Sequence, residues 1–154
     1  MSHKIDYFSV QDLISKTERG ISINSTDGDI EKVVIKGGIV ESLNYRALEC
    51  VTTPNGKIGM VSLYSMNLAS PATSEVIYLR GNFWYDGVNT DGELGVKLNM
   101  IDCKIDGGTS RVIRANDAQV KSVLQSTGDA FGTPTTNVYL IEGDAVITID
   151  GVDQ

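Results

Sequence analysis

Apolar residues fall in short runs along the chain, separated by polar clusters such as Ser25-Thr26-Asp27-Gly28-Asp29, Pro54-Asn55-Gly56 and Asp106-Gly107-Gly108. Gly, Asn, Asp and Pro supply the backbone angles and local hydrogen bonds of turns, so this punctuation predicts many short β-strands. A helical period is weak everywhere; only Ala118 to Gln125 fits one or two turns of helix.

Laid over itself, the chain repeats. FSVQDLISKTERGISINSTDGD from Phe8 and VVIKGGIVESLNYRALECVTTPNG from Val33 are followed by MVSLYSMNLASPATSEVIYL from Met60 and GVKLNMIDCKIDGGTSRVIRA from Gly95. Each reads as a strand, a small or polar corner residue, a second short strand, a loop and a third strand. Arg19-Gly20-Ile21-Ser22-Ile23 and Arg46-Ala47-Leu48-Glu49-Cys50 open the third-strand series with a shift of 27. Further shifts of 29 (Leu48 to Ile77) and 36 (Ile77 to Ile113) follow, and a partial fifth copy runs through Val138-Tyr139-Leu140-Ile141 and Ala145-Val146-Ile147.

One such coil cannot bury its apolar face. Coils stacked at about 4.8 Å per rung pair each strand in parallel with its equivalents above and below, and inward side chains form columns. The expected columns are Phe8, Val33, Val61, Val96 and Val138 in the first strand, and Leu13, Ile39, Leu68, Cys103 and Ala145 in the second. In the third they are Ile21, Leu48, Ile77 and Ile113, then Ile23, Cys50, Leu79 and Ala115. Leu94, Val96 and Leu98 alternate on one parity and Ile101, Cys103 and Ile105 on the other, which requires a bend between them because side-chain direction has period two. The corner column reads Asp12, Gly38, Asn67, Asp102 and Asp144, residue types that tolerate unusual backbone angles. The rival architecture is an antiparallel sandwich, with hairpins at Pro54-Asn55-Gly56 and Asn89-Thr90-Asp91-Gly92. Stacked repeats also account for the lengthening shifts. The extra residues lie between Arg80 and Glu93 and between Asn116 and Asn137, each read as following a third strand.

The expected fold is therefore all-β, a right-handed parallel β-helix of four to five coils. Residues 1–115 form the coils, and 116–154 a lengthened loop and terminal β segment of the same domain. At 154 residues the chain has room for one core. Its formal net charge of −7 offers no basic face, so nucleic acid is not an expected partner. A single histidine and two distant cysteines, Cys50 and Cys103, exclude His-based triads and Cys/His zinc sites. No metal or other cofactor is expected. Apolar runs fall short of the ~18 residues that span a membrane, and MSHKIDYFSV lacks the apolar core of a signal peptide.

The repeat, with segments such as EKVVIKGGIVES, VKLNMIDCKIDGG and SRVIRANDAQVKSV, resembles the right-handed parallel β-helices of pectate-lyase-like proteins, and among these bacteriophage tailspikes most. The resemblance covers about residues 5 to 115 and is one of repeat pattern, not of catalytic motif. It implies a homotrimer, or part of a longer spike, on the virion tail, made in the host cytoplasm without a signal peptide, that binds bacterial surface polysaccharide and in many members cleaves it. Two alternatives stand beside it: a secreted polysaccharide lyase or glycosidase using Asp and Glu, and a purely structural trimerisation piece. Few coils are visible compared with the family, and nothing before Phe8 reads as a cap.

Candidate chemistry concentrates in the insertion from Arg80 to Glu93. Trp84, Tyr85 and Asp86 suit carbohydrate, since aromatic faces stack on sugar rings and carboxylates hold hydroxyls; Asp86, Asp91 and Glu93 are candidate catalytic carboxylates for a glycosidase. The plainer account is that Phe83 and Trp84 cover the helix wall or a neighbouring subunit. A calcium loop through Asn89 and Asp91 fails, because Gly87 and Leu98 stand where the loop needs Asp and Glu. Arg19, Arg46, Glu75 and Arg111 precede equivalent third strands and project outward in a row, either gripping an acidic polysaccharide or forming a solvated ladder in which Glu75 bridges Arg46 and Arg111. Cys50 and Cys103 are expected as buried, reduced thiols, and Asp102 as a corner residue bonding its own backbone.

Overall fold

Val, Ile and Leu in period-two alternation, interrupted by small polar groups, form strands that pair chiefly in parallel with their own repeats. The computed structural model describes residues 3–53, 55–70, 75–81, 96–107, 112–116, 118–124, 139–149 and 151–154. In chain order the strands are β1 (His3–Ile5), β2 (Phe8–Thr17), β3 (Ile21–Ser25), β4 (Gly28–Ser42), β5 (Leu48–Thr52), β6 (Lys57–Ser70) and β7 (Ile77–Arg80). There follow β8 (Val96–Gly107), β9 (Ile113–Asn116), β10 (Ala118–Leu124), β11 (Tyr139–Glu142), β12 (Val146–Ile149) and β13 (Val152–Asp153). No helix occurs among the described residues.

The strands wind into a parallel β-solenoid of about three turns. One sheet, which holds the long strands, has the order β4, β6, β8, β10, β12, with β1 and β2 side by side along the free edge of β4; the other stacks β3, β5, β7, β9, β11. Every pairing is parallel except a small antiparallel one at the C-terminal end, β12 with β13 (Thr148↔Asp153, Ile149↔Val152). Parallel neighbours exclude the sandwich. The expected first and second strands are one continuous strand bent in the middle, so the three-strand coil is a long strand plus a short one.

The bend is where the sequence reading needs correcting. Asp12, Gly37, Ser65 and Asp102 occupy the same step of successive long strands and all have positive φ (52°, 69°, 51° and 59°). The corner is therefore Gly37 and Ser65, not Gly38 and Asn67. Gly38 takes the inward position next to Leu13, so Val40 faces in and pairs with Leu68, while Ile39 faces out beside Ile14 and Asn67. Leu68 continues to Ile105, not to Cys103. On the first face, Val61 pairs with Leu98 and Ile58 with Val96, because β6 carries one extra residue at Gly59–Met60 relative to β8. Val138 lies outside the described residues, and Tyr139 joins the short-sheet column on Ile113. Ala145 is buried, but it leads into β12 and occupies no second-strand rung. The segment from Ala118 is a strand on β8, not helical turns. The second insertion accordingly follows β10, a strand of the first sheet, whereas the first follows β7 of the short sheet.

The short-sheet columns hold as expected: Ile21, Leu48, Ile77 and Ile113, then Ile23, Cys50, Leu79 and Ala115, pair in register. Together with Val33, Val61 and Leu98, and Ile35, Leu63 and Met100, they form one dry interior. Among the described residues the first rung has a neighbour on one side only, and Phe8 is 54% exposed and Ile21 and Ile23 half-buried. Corners are tied by hydroxyls: Ser42 Oγ donates to Glu18 O (3.0 Å), and Ser70 Oγ to Glu75 O (3.5 Å).

Candidate functional site

The outer wall of the short sheet carries the most ordered polar array among the described residues. In a parallel sheet each side chain stands directly above its repeat, so charges placed once per coil become near neighbours. Arg46, just before β5, donates from Nη1 to Glu49 Oε2 (2.6 Å) and from Nε to Glu75 Oε2 (3.3 Å). Glu75, one rung on, also lies 3.7 Å from Arg114 Nη1. Arg114 on β9 then holds Glu142 on β11 through Nε (2.7 Å) and Nη2 (3.2 Å). A chain of alternating charge thus runs Glu49–Arg46–Glu75–Arg114–Glu142 across four rungs. Tyr78, at the step between Glu49 and Arg114, is held between two guanidinium groups, Arg46 at 4.1 Å and Arg114 at 5.3 Å from its ring centre.

Electrostatics follow from that arrangement. Burial pushes the Glu75 carboxyl up, but its own backbone N–H and the flanking Arg46 and Arg114 pull harder, and it is held below the usual carboxylate range. Glu142 raises Arg114 further above its ordinary value by accepting its hydrogen bonds. Glu75 is a fixed anion, the opposite of the proton-bearing carboxyl that a general acid requires.

The wall changes character at its first rung. Arg19 is the counterpart of Arg46, and it lies over the Tyr45 ring at 4.7 Å. Ser22 stands where the next rung has Glu49. Arg19, Ser22, Tyr45, Arg46 and Glu49, with Gly20 and Ile21, line a partly open cavity of about 130 Å³. The cavity combines an aromatic ring, two guanidinium groups, a carboxylate and a hydroxyl on a rigid sheet, which suits hydrogen-bonding to a polyhydroxylated ligand.

The row read from the sequence is present for Arg19, Arg46 and Glu75, but Glu75 bridges Arg46 to Arg114; Arg111 lies outside the described residues. Trp84, Tyr85, Asp86, Asp91 and Glu93 also lie outside them. Asp102 is a corner residue, as expected, and it accepts from Ser65 Oγ (3.1 Å), not from its own backbone. Tyr45, Tyr78 and Glu142 were not singled out from the sequence. Their signal is register: Tyr78 and Arg114 follow Glu49 at the repeat shifts, and Tyr45 directly precedes the Arg that opens a third strand. No protein-family model, curated protein or solved structure matches the chain. The class defined by its own architecture is a parallel β-solenoid with a guanidinium–carboxylate–tyrosine wall.

Proposed function

We propose that the chain is a polysaccharide-binding module of bacteriophage tailspike type, working as a homotrimer or as part of a longer spike on the virion tail, with bacterial surface polysaccharide as its ligand. The observation that carries this reading is the cavity at Arg19, Tyr45, Arg46 and Glu49. It is a preformed, partly aromatic, hydrogen-bonding site on a wall whose stacked rungs keep its groups in place. Trp84, Tyr85 and Asp86, which follow β7 in the chain, are the further sugar-binding groups of this reading. Self-association is supported by Ile14 and Ile39, adjacent on the outer long-sheet face and 80% and 50% exposed.

A glycan array of bacterial surface oligosaccharides tests the reading. Binding that falls in Tyr45→Ala and in Trp84→Ala supports it. Release of reducing ends or unsaturated uronate, lost in Asp86→Asn or Asp91→Asn, would move the chain to the depolymerases. A stable trimer inert in both assays would leave only the structural role.

A further inference from the structure

Repetition makes one vacant place on the wall informative. Arg19 and Arg46 open successive short strands at a shift of 27 residues, and both stack on a tyrosine, Tyr45 and Tyr78 respectively. Arg46 is closed by two carboxylates, Glu49 three residues on and Glu75 one rung away. At the step of Glu49, the Arg19 rung carries Ser22, whose hydroxyl accepts from Asn24 Nδ2 (2.8 Å). Among the described residues Arg19 forms no ion pair, although its guanidinium is already oriented by the Tyr45 ring and borders the 130 Å³ cavity. Every other arginine of the ladder holds an acid; this one is positioned for an acid that none of the described residues supplies.

We propose that the Arg19 position takes the carboxylate of an acidic sugar, so that the polysaccharide bound by this chain contains uronate residues. This rests on the carbohydrate-binding reading above and narrows its substrate class. A planar carboxylate matches the guanidinium fork, and Glu49 shows how one fits an arginine at this step of the wall. Tyr45, half exposed, offers aromatic surface beside the charged group, and Ser22 and Glu49 present a hydroxyl and a carboxylate to ring hydroxyls. The chain's net charge of −7 gives a polyanion no long-range attraction. Recognition therefore depends on the local guanidinium, and removing it has a large effect.

The probes are galacturonate, glucuronate and mannuronate tetrasaccharides and their carboxyl-reduced counterparts, titrated by calorimetry against the full chain. Two variants address Arg19 from opposite sides. Arg19→Ala removes the cation. Ser22→Glu supplies the missing acid internally, repeating the Arg46–Glu49 pattern, and a thermal melt no lower than wild type shows that it folds. The expected result is binding of at least one acidic tetrasaccharide, none of its reduced form, and a loss of about ten- to a hundred-fold in affinity in both variants. Equal affinity for acidic and reduced sugars, or unchanged binding in Ser22→Glu, overturns the uronate assignment and leaves the carbohydrate reading standing. If neither these probes nor any oligosaccharide on the array binds, both are overturned.

Discussion

Arg46 Nε lies 3.3 Å from Glu75 Oε2 although 29 residues separate them in sequence. The solenoid turns that separation into one rung, and Glu75, only 12% exposed at its side chain, is shared with Arg114 on the rung beyond. A group held this way ties three coils together, whereas an isolated exposed pair contributes little.

Glu75→Gln keeps the shape and removes the shared charge. A loss of about 1–3 kcal/mol is expected, read as a lower urea midpoint at pH 7 with an unchanged slope. The sign with pH follows from the depressed carboxyl. Folded Glu75 binds its proton less readily than unfolded Glu75, so its contribution is complete above the ordinary carboxylate range and fades as pH falls through the lowered folded value. Wild type and Glu75→Gln should therefore converge in acid. Equal midpoints at pH 7 would mean that the ladder is ornamental.

The interior columns set a harder limit. Leu68 and Ile77 are fully buried between coils, and a carboxylate at either place has no partner within the dry interior. Its desolvation costs several kcal/mol, comparable with the whole stability of a domain this size. Leu68→Asp and Ile77→Asp should lose their β circular dichroism and sediment as aggregate, while Ile77→Val folds with a loss of about 0.5–1.5 kcal/mol. A soluble, folded Ile77→Asp would place that residue outside the core.

The part of the fold legible in the sequence was the part with strict alternation. Ile21, Leu48, Ile77 and Ile113 lie in a strand type without a bend, and an Arg, Glu or Val-led start fixes their phase. The long strands were harder because the bend consumes a residue whose side chain points to neither face. The expected column puts an apolar side chain at a step that Gly38 fills, so Ile39 faces outward and Val40 takes the inward place. Of the candidate site, the arginine row was legible because it recurs at the repeat shift. Its tyrosines were not, since each acts across coils on a guanidinium whose own strand lies a rung away.

The bend itself is testable. A Cβ on Gly38 would lie 2.1 Å from Leu13 O, at a φ of 132° that L side chains rarely adopt. Gly38→Ala should cost more than the usual ~1 kcal/mol of a strained glycine replacement, because backbone of the next coil must move. Ser65→Gly, at φ 51°, gives up a hydrogen bond to Asp102 but relieves a left-handed residue, so its urea midpoint should stay within about 1 kcal/mol of wild type. Reversal of that order would contradict the close approach of Gly38 to the adjacent coil just after the bend.

Ile14 and Ile39 are paired partners that both face outward. If this stripe joins subunits, Ile14→Lys with Ile39→Lys should convert a trimer to a monomer in native mass spectrometry while the circular dichroism stays unchanged. The two lysines replace apolar surface that a trimer buries and put like charges across the interface. A wild-type chain that is already monomeric removes the trimer from the proposal.

Cys50 and Cys103 sit on different sheets, both within the interior and both reduced. Burial pushes the Cys50 thiol far above its ordinary range, with the Glu49 carboxylate adding to the effect. Burial also raises Cys103, though contacts with the backbone of Met66, Ile101 and Ser65 oppose it. A thiolate is the reactive species, so neither group presents one at pH 8, and the wall of stacked rungs blocks reagent from either side. Ellman's reagent should therefore label neither cysteine in the native chain and both in 6 M urea. The labelling rate at low denaturant would track opening of the coil stack, not the chemistry of the thiols. Prompt labelling of Cys50 without denaturant would show that the short sheet opens locally between β5 and its neighbours, and would contradict a closed interior at that rung.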